Sequence, residues 1–277
     1  MSGRPFIKMH GLGNDFVVVD ARAEPFPLTD ALAKAIADRR EGVGCDQLLI
    51  LEPPSNGSAD VFLRIRNHDG GEVGACGNGT RCVAALVMGE TGREAIVIET
   101  AAGLLKAKAA GPQRVTVDMG EARLGWRDIP LSEERDSLHL GIENGPLKDP
   151  VGVNMGNPHA VFFVDDVESL PLEELGPTLE HHALFPERAN IGAAQVIGPD
   201  KLRLRVWERG VGETRACGTG ACAAAVAAAR RGLTGRKVEV LLTGGPLTIE
   251  WLENDHVEMT GPVATAFHGE LNGTLSS

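Results

Sequence analysis

Short runs of β-branched and aliphatic residues recur along this chain, separated by polar turns and a few helix-like stretches. FVVVD, VFLRIR, AIVIET and RVTVDM predict strands in the first half, and LRLRVW, VEVLL and PLTIEW in the second, because such residues fit a half-buried pleated surface. Residues 28–40, LTDALAKAIADRR, predict a helix with Thr29 as its N-cap. Residues 169–184 read as its looser counterpart, and Gly176-Pro177 is expected to interrupt it. Two more helices are expected from TRCVAALVMGE and ACAAAVAAARR. Neither has a polar face, so both are expected to be buried.

The pattern repeats once. ACGNG at 75–79 and ACGTG at 216–220 stand 141 positions apart (76 to 217). At the same offset Arg64-Ile65-Arg66-Asn67 faces Arg205-Val206-Trp207-Glu208, so Asn67 falls opposite Glu208. Upstream the offset becomes 143. Gly13-Asn14 before FVVVD matches Gly156-Asn157 before HAVFFVDD, and Gln47 opening QLLIL matches Asn190 opening NIGAAQVI. Four landmarks in one order predict an internal duplication. The expected architecture is α/β (α+β): two pseudo-symmetric domains, each a mixed or antiparallel β-sheet or barrel wrapped round a central buried helix, with the active site in the interdomain cleft. The expected domains are 1–119, joined by 263–277, and 120–262.

Composition narrows the function. Formal net charge is −11, which argues against nucleic acid or an anionic membrane as partner, since both need a basic face. The N-terminus has no apolar signal region, and the longest small-apolar run, Ala221–Ala229, is about half a membrane span. A cytoplasmic protein is expected. Its five cysteines show no disulfide framework and are expected to be reduced. Spacings of six from Cys76 to Cys82 and five from Cys217 to Cys222 do not fit structural zinc sites, so no metal is expected. Tyr is absent and aromatics make up 4% of the chain, which leaves the core to aliphatic side chains.

Duplication of a stable fold explains recurring glycines. It does not explain a cysteine at both helix entries. There a thiol meets the positive end of the helix dipole, which should lower its pKa, and nearby N–H groups can bind a carboxylate. Two opposed thiols suit inversion at an α-carbon: one takes the proton and the other returns one. Cys45, Cys82 and Cys222 are expected to pack in the core. Arg209 suits a second carboxylate. Histidines other than His159, including His181-His182, are expected on the solvated surface.

MHGLGNDFVVVD at 9–20, GCDQLLI at 44–50, CGNGTRC at 76–82, MGNPH at 155–159, FPERAN at 185–190 and ERGVGETRACGTGACA at 208–223 resemble the diaminopimelate epimerase family. The likeness runs from about residue 7 to about residue 262. It implies interconversion of LL- and meso-diaminopimelate without a cofactor, on the route to lysine and a peptidoglycan cross-linking residue. It implies Cys76 as donor and Cys217 as acceptor for the LL substrate, with His159 and Glu208 adjusting the thiols. Asn67, Asn157, Asn190 and Arg209 correspond to contacts with the distal end of the substrate, and Asn14 and Gln47 to further pocket residues. Gly77-Asn78 and Gly218-Thr219 would offer N–H groups to the reacting carboxylate, Thr219 standing where serine is common. Cys45 departs from the family pattern, which has an aromatic there. The family suggests a homodimer. Some members place a C-terminal tyrosine at that contact, and Phe267 takes its place here. Two other readings remain: a proline or hydroxyproline racemase, which would not need the distal set, and a thiol-redox protein.

Overall fold

The computed structural model describes residues 3–55 and 57–272. The chain forms two compact units. One runs up to Val117 and resumes at Thr260, and the other is Asp118–Met259.

In the first unit β1 (Arg4–Gly11) and β2 (Asn14–Asp20) form an antiparallel hairpin. After α1 (Asp30–Ala37), β3 (Gln47–Glu52) joins β2 in parallel, and β4 (Val61–Asn67) joins β3 antiparallel. β5 (Glu72–Val73) turns back on β4 and leads into α2 (Gly77–Thr91). β6 (Ala95–Thr100) then pairs parallel with β4, followed antiparallel by β7 (Gly103–Ala109) and β8 (Arg114–Glu121).

The second unit repeats that order after a small hairpin of β9 (Glu143–Asn144) and β10 (Leu147–Lys148). β11 (Val151–Asn154) and β12 (Pro158–Phe163) are antiparallel, and α3 (Leu172–Glu180) follows. β13 (Asn190–Gly198) pairs parallel with β12, and β14 (Lys201–Glu208) antiparallel with β13. β15 (Gly212–Thr214) returns on β14, α4 (Gly218–Arg230) follows, and β16 (Lys237–Leu242) is parallel to β14. β17 (Gly245–Trp251) pairs with β16 and is followed by β18 (His256–Pro262). The last strand, β19 (Ala264–Leu271), pairs with β1 of the first unit. All seven runs that alternation marked as strands are strands, and the sheets are mixed.

Each unit wraps its strands round its second helix. α2 packs on β1, β2, β3, β6 and β7, and α4 on β11–β14, β16 and β17. Every residue of α4 from Gly220 to Ala228 is buried. Alanine makes this helix thin, so strands can pack near its axis on every side. Among the described residues no helix is long and apolar enough to cross a membrane.

The two outer helices differ from the sequence expectation. α1 is capped by the Thr29 hydroxyl, which accepts from Leu32 N at 3.1 Å. It stops at Ala37 rather than at 40, because the Asp38 carboxylate accepts from Arg40 N and Glu41 N at 2.7 and 2.8 Å and turns the chain. α3 is not interrupted at Gly176-Pro177 but runs through it to Glu180. The reason is tertiary: a Cβ on Gly176 would lie 2.5 Å from the Trp207 indole. The bare backbone there lets β14 seat its tryptophan on the helix, and that contact outweighs the weak local propensity.

Candidate active site

Both motif cysteines are N-caps with extended backbone. Cys76 caps α2 and its sulfur accepts from Gly79 N at 3.5 Å. Cys217 caps α4. The first bonds of the two helical ladders run from Thr80 N to Cys76 O and from Ala221 N to Cys217 O. Helix geometry therefore leaves the N–H groups of Gly77, Asn78, Gly218 and Thr219 outside the ladder, at the positive end of each dipole. Space favours glycine at 220 as well. A Cβ there would stand 3.0 Å from Val206 Cγ2 and 3.2 Å from the Cys217 sulfur.

In the first unit the site residues form two hydrogen-bonded groups, one around Asn14 and the other a Gln47–Asn67 pair. Asn14 opens β2, and its Oδ1 lies 3.9 Å from Cys76 Sγ and accepts from Asn78 Nδ2 at 3.1 Å. Asn14 Nδ2 donates to Asp46 Oδ2 at 2.9 Å, and Arg81 donates to Asn78 Oδ1 at 2.9 Å. Gln47 and Asn67 face each other across β3 and β4, with Gln47 Nε2 donating to Asn67 Oδ1 at 2.9 Å. Beneath them Asp15 is gripped by Lys8 at 2.5 Å and Arg39 at 2.6 Å. Burial pushes the Asp15 carboxyl up, but hydrogen bonds from Arg39 and Lys8 overcome it and hold the group at about 2.

In the second unit the same backbone positions carry different chemistry. His159 on β12 lies beside Asn190 on β13 in parallel register, as Phe16 lies beside Gln47 in the first unit. His159 is fully buried, and its Nε2 is 2.9 Å from Asn157 Oδ1. Burial, with help from the Arg209 guanidinium, lowers its pKa to about 3, so its imidazole is neutral. Asn190 Nδ2 donates to Pro158 O at 3.0 Å, and its Oδ1 accepts from Arg209 N at 2.9 Å. Arg209 itself is exposed and reaches Glu187 O at 2.9 Å. Glu208 accepts from the Thr214 hydroxyl, and its carboxylate lies close enough to Cys217 to act on the thiol, whose sulfur stands 3.6 Å from the Thr219 hydroxyl.

One expectation fails here. A helix N-terminus was expected to lower the pKa of Cys217. Instead burial, reinforced by the Glu208 carboxylate, raises it well above the usual thiol value, and Thr219 and the Gly220 N–H offset only part of this. Cys217 is 3% exposed, and desolvation outweighs the dipole. At rest this sulfur is a thiol. Cys45 and Cys82, buried as expected, are pushed by burial to about 12, and Cys222 is buried as well. Not every remaining histidine is on the solvated surface: His181 is exposed, but His10, His182 and His256 are half-buried.

The diaminopimelate epimerase family model matches residues 6–125 and 151–266. The chain belongs to the diaminopimelate epimerase family. It is 62% identical over 272 residues to a diaminopimelate epimerase of Rhodospirillum centenum, covering 98% of this chain and 94% of that protein. It is 57% identical over 274 residues to one of Acidiphilium cryptum, covering 99% and 98%. Among solved structures it resembles a hydroxyproline epimerase from Agrobacterium vitis with bound trans-4-OH-L-proline. The TM-score is 0.69 at 17% identity, with 100% of this chain and 96% of that chain covered. At that identity the likeness is one of fold.

Of the residues with family counterparts, Asn14, Gln47, Asn67, Cys76, Gly77 and Asn78 lie in the first unit, and Asn157, His159, Asn190, Glu208, Arg209, Cys217, Gly218 and Thr219 in the second. Sequence reasoning missed Asp46, Arg81, Glu180 and Thr214. Thr214 had a signal, since it stands opposite Val73 in the repeat. A polar residue replacing an apolar one beside a carboxylate marks a new partner.

His159 yields a stability prediction. Its folded pKa of about 3 lies below its unfolded value of about 6.5. Between those values the unfolded chain binds the extra proton, so stability is lost as pH falls. The expected slope from this group approaches about 1.4 kcal/mol per pH unit in that window. Urea unfolding from pH 7 to 4 should show this slope in the parent and a shallower one in His159→Phe, which installs the side chain found at the repeat partner, Phe16. Equal slopes would reject the assignment.

Proposed function

We propose that this protein interconverts LL- and meso-diaminopimelate without a cofactor, using Cys217 and Cys76 as paired base and acid. The observation that carries this reading is the unequal setting of two equivalent thiols. One rests against an uncharged amide oxygen, Asn14 Oδ1, and the other against a carboxylate, Glu208. Glu208 takes the Cys217 proton, and the resulting thiolate removes the α-proton of the LL isomer. Cys76 delivers its own proton to the opposite face of the same carbon. For the reverse direction the roles exchange. The N–H groups of Gly77-Asn78 and Gly218-Thr219 hold the reacting carboxylate and the charge that builds on it. Arg209 grips the distal carboxylate, with Asn67, Asn157 and Asn190 beside it and Asn14 and Gln47 lining the pocket. Buried neutral His159 can share a proton with the unit that holds Cys217. In this reading the enzyme works in the cytoplasm as a homodimer, with half-exposed Phe267 as a contact residue.

The test is the purified protein with LL-diaminopimelate in deuterated water, with no added pyridoxal phosphate or metal. The expected result is α-deuterium incorporation together with the meso isomer, and no exchange into trans-4-hydroxyproline. Exchange into hydroxyproline alone would transfer the chemistry to the imino-acid racemase reading. No exchange into either would end the proposal.

A further inference from the structure

We propose that Asp46 and Arg81 are positioning residues that lock the side-chain amides of Asn14 and Asn78 so that a carbonyl oxygen, not an N–H, faces the Cys76 thiol. This rests on the reading of Cys76 as the proton donor.

The argument begins with an amide's two nearly isosteric ends. An Asn side chain can present oxygen or NH2 to a neighbour, and only its hydrogen-bond partners decide which. Here a continuous line runs from Arg81 to Asn78 Oδ1 at 2.9 Å, from Asn78 Nδ2 to Asn14 Oδ1 at 3.1 Å, and from Asn14 Nδ2 to Asp46 Oδ2 at 2.9 Å. A cation closes one end and an anion the other. Turning Asn14 over would set its oxygen against the Asp46 carboxylate, acceptor to acceptor. Turning Asn78 over would set its NH2 against the Arg81 guanidinium, donor to donor. Both amides thus have one permitted orientation, and their dipoles lie head to tail between the two charges.

The consequence falls on Cys76. Asn14 Oδ1 stands 3.9 Å from its sulfur, and a carbonyl oxygen can only accept. It stabilises S–H and opposes S⁻. Cys76 is thereby kept loaded with the proton it must give.

Two further observations set this apart from ordinary packing. Arg81 is fully buried, and a buried guanidinium is costly to desolvate, so a hydrophobic residue would serve a merely structural role better. The line is also absent from the other unit. The repeat partners of Asp46, Asn78 and Arg81 are Ala189, Thr219 and Cys222, and there the acceptor beside the thiol is Glu208. A device needed for the fold would recur in both copies.

The charged and titratable groups tied to the Cys76 setting in this unit are Arg81 and Cys82 on α2, Asp15 on β2, Lys8 on β1, and Asp46 and Arg39 ahead of β3. The test must separate amide orientation from the loss of a nearby charge. It uses the full chain carrying Cys217→Ala. Alkylation of Cys76 by iodoacetamide is followed by peptide mass spectrometry as a function of pH, so no substrate is needed and a failure of the epimerase reading leaves the readout intact. Asp46→Ala frees Asn14 to turn its NH2 toward the sulfur, and the alkylation midpoint should fall by about one pH unit. Asp46→Asn keeps the size but loses the bias, and should give a smaller fall; it serves if the alanine variant does not fold. Asp15→Asn removes a carboxylate from the same ion-pair cluster but leaves Asn14 Nδ2 its acceptor, and should shift the midpoint by less than half as much. An unchanged or raised midpoint in the Asp46 variants overturns the proposal. So does an equal fall in Asp15→Asn, which would assign the effect to charge alone.

Discussion

Under the proposed two-thiol mechanism, Cys217→Ala lowers the epimerisation rate by at least about 10³-fold, and Cys76→Ala does the same, since each would remove one member of an acid–base pair that acts as a unit. The folded state should survive both changes, because alanine fits the N-cap space of either thiol. Serine in place of Cys217 should not restore the rate. Its hydroxyl is far less acidic than a thiol, and Glu208 cannot drive it to the anion. The more telling readout is exchange without inversion. With Cys217 gone, the remaining sulfur reaches only one face of the α-carbon. At high pH, where Cys76 ionises, deuterium should enter one isomer of diaminopimelate and not the other. Proton NMR of both isomers in deuterated water would show this. A single-cysteine variant within tenfold of the parent rate, or one that still inverts its substrate, would sink the two-thiol mechanism.

Glu180→Ala carries the largest stability effect expected outside the apolar core, about 3 kcal/mol. The Glu180 side chain sits at the end of α3 and is 3% exposed. Its Oε2 accepts from Trp207 Nε1 at 2.8 Å, its Oε1 accepts from Gly210 N at 2.9 Å, and Arg188 lies 3.7 Å away. Removing it strands two donors and releases the turn that carries Glu208 and Arg209. Asn190, which holds Arg209 N at 2.9 Å, is then the remaining clamp on that turn. Arg209 should lose its aim, so KM for diaminopimelate should rise more than kcat falls. Glu180→Gln keeps one acceptor and should recover part of both. Chemical denaturation and steady-state kinetics together check this. An unchanged KM in a destabilised Glu180→Ala protein would leave Glu180 a structural residue only.

The chain's repeat made the fold legible. Strand alternation together with the 141- and 143-residue offsets predicted two like units, and the registers of Phe16 with Gln47 and His159 with Asn190 follow from that match. The cysteines at the helix entries were legible for the same reason. What escaped was set by contacts distant in sequence. Gly176-Pro177 reads locally as a break, and only Trp207, thirty positions on, explains the continuous helix. The Cys217 pKa was misjudged because the dipole can be inferred from position, while complete burial beside Glu208 cannot. Asp46 sits in a segment that reads simply as the entry to a strand, and its carboxylate matters through Asn14, thirty-two positions earlier.

The two copies share one chain, and this has a consequence for how their chemistry could diverge. In an assembly of identical subunits any substitution appears twice, so a histidine gained beside one thiol is gained beside its twin. Joined in tandem, each copy is edited alone. Phe16 stands where the other copy has His159, Asn67 where it has Glu208, and Val73 where it has Thr214. The strand order is common property and the ionic setting of each sulfur is private. A reaction that inverts one end of its substrate while the other end is only held calls for that kind of independence.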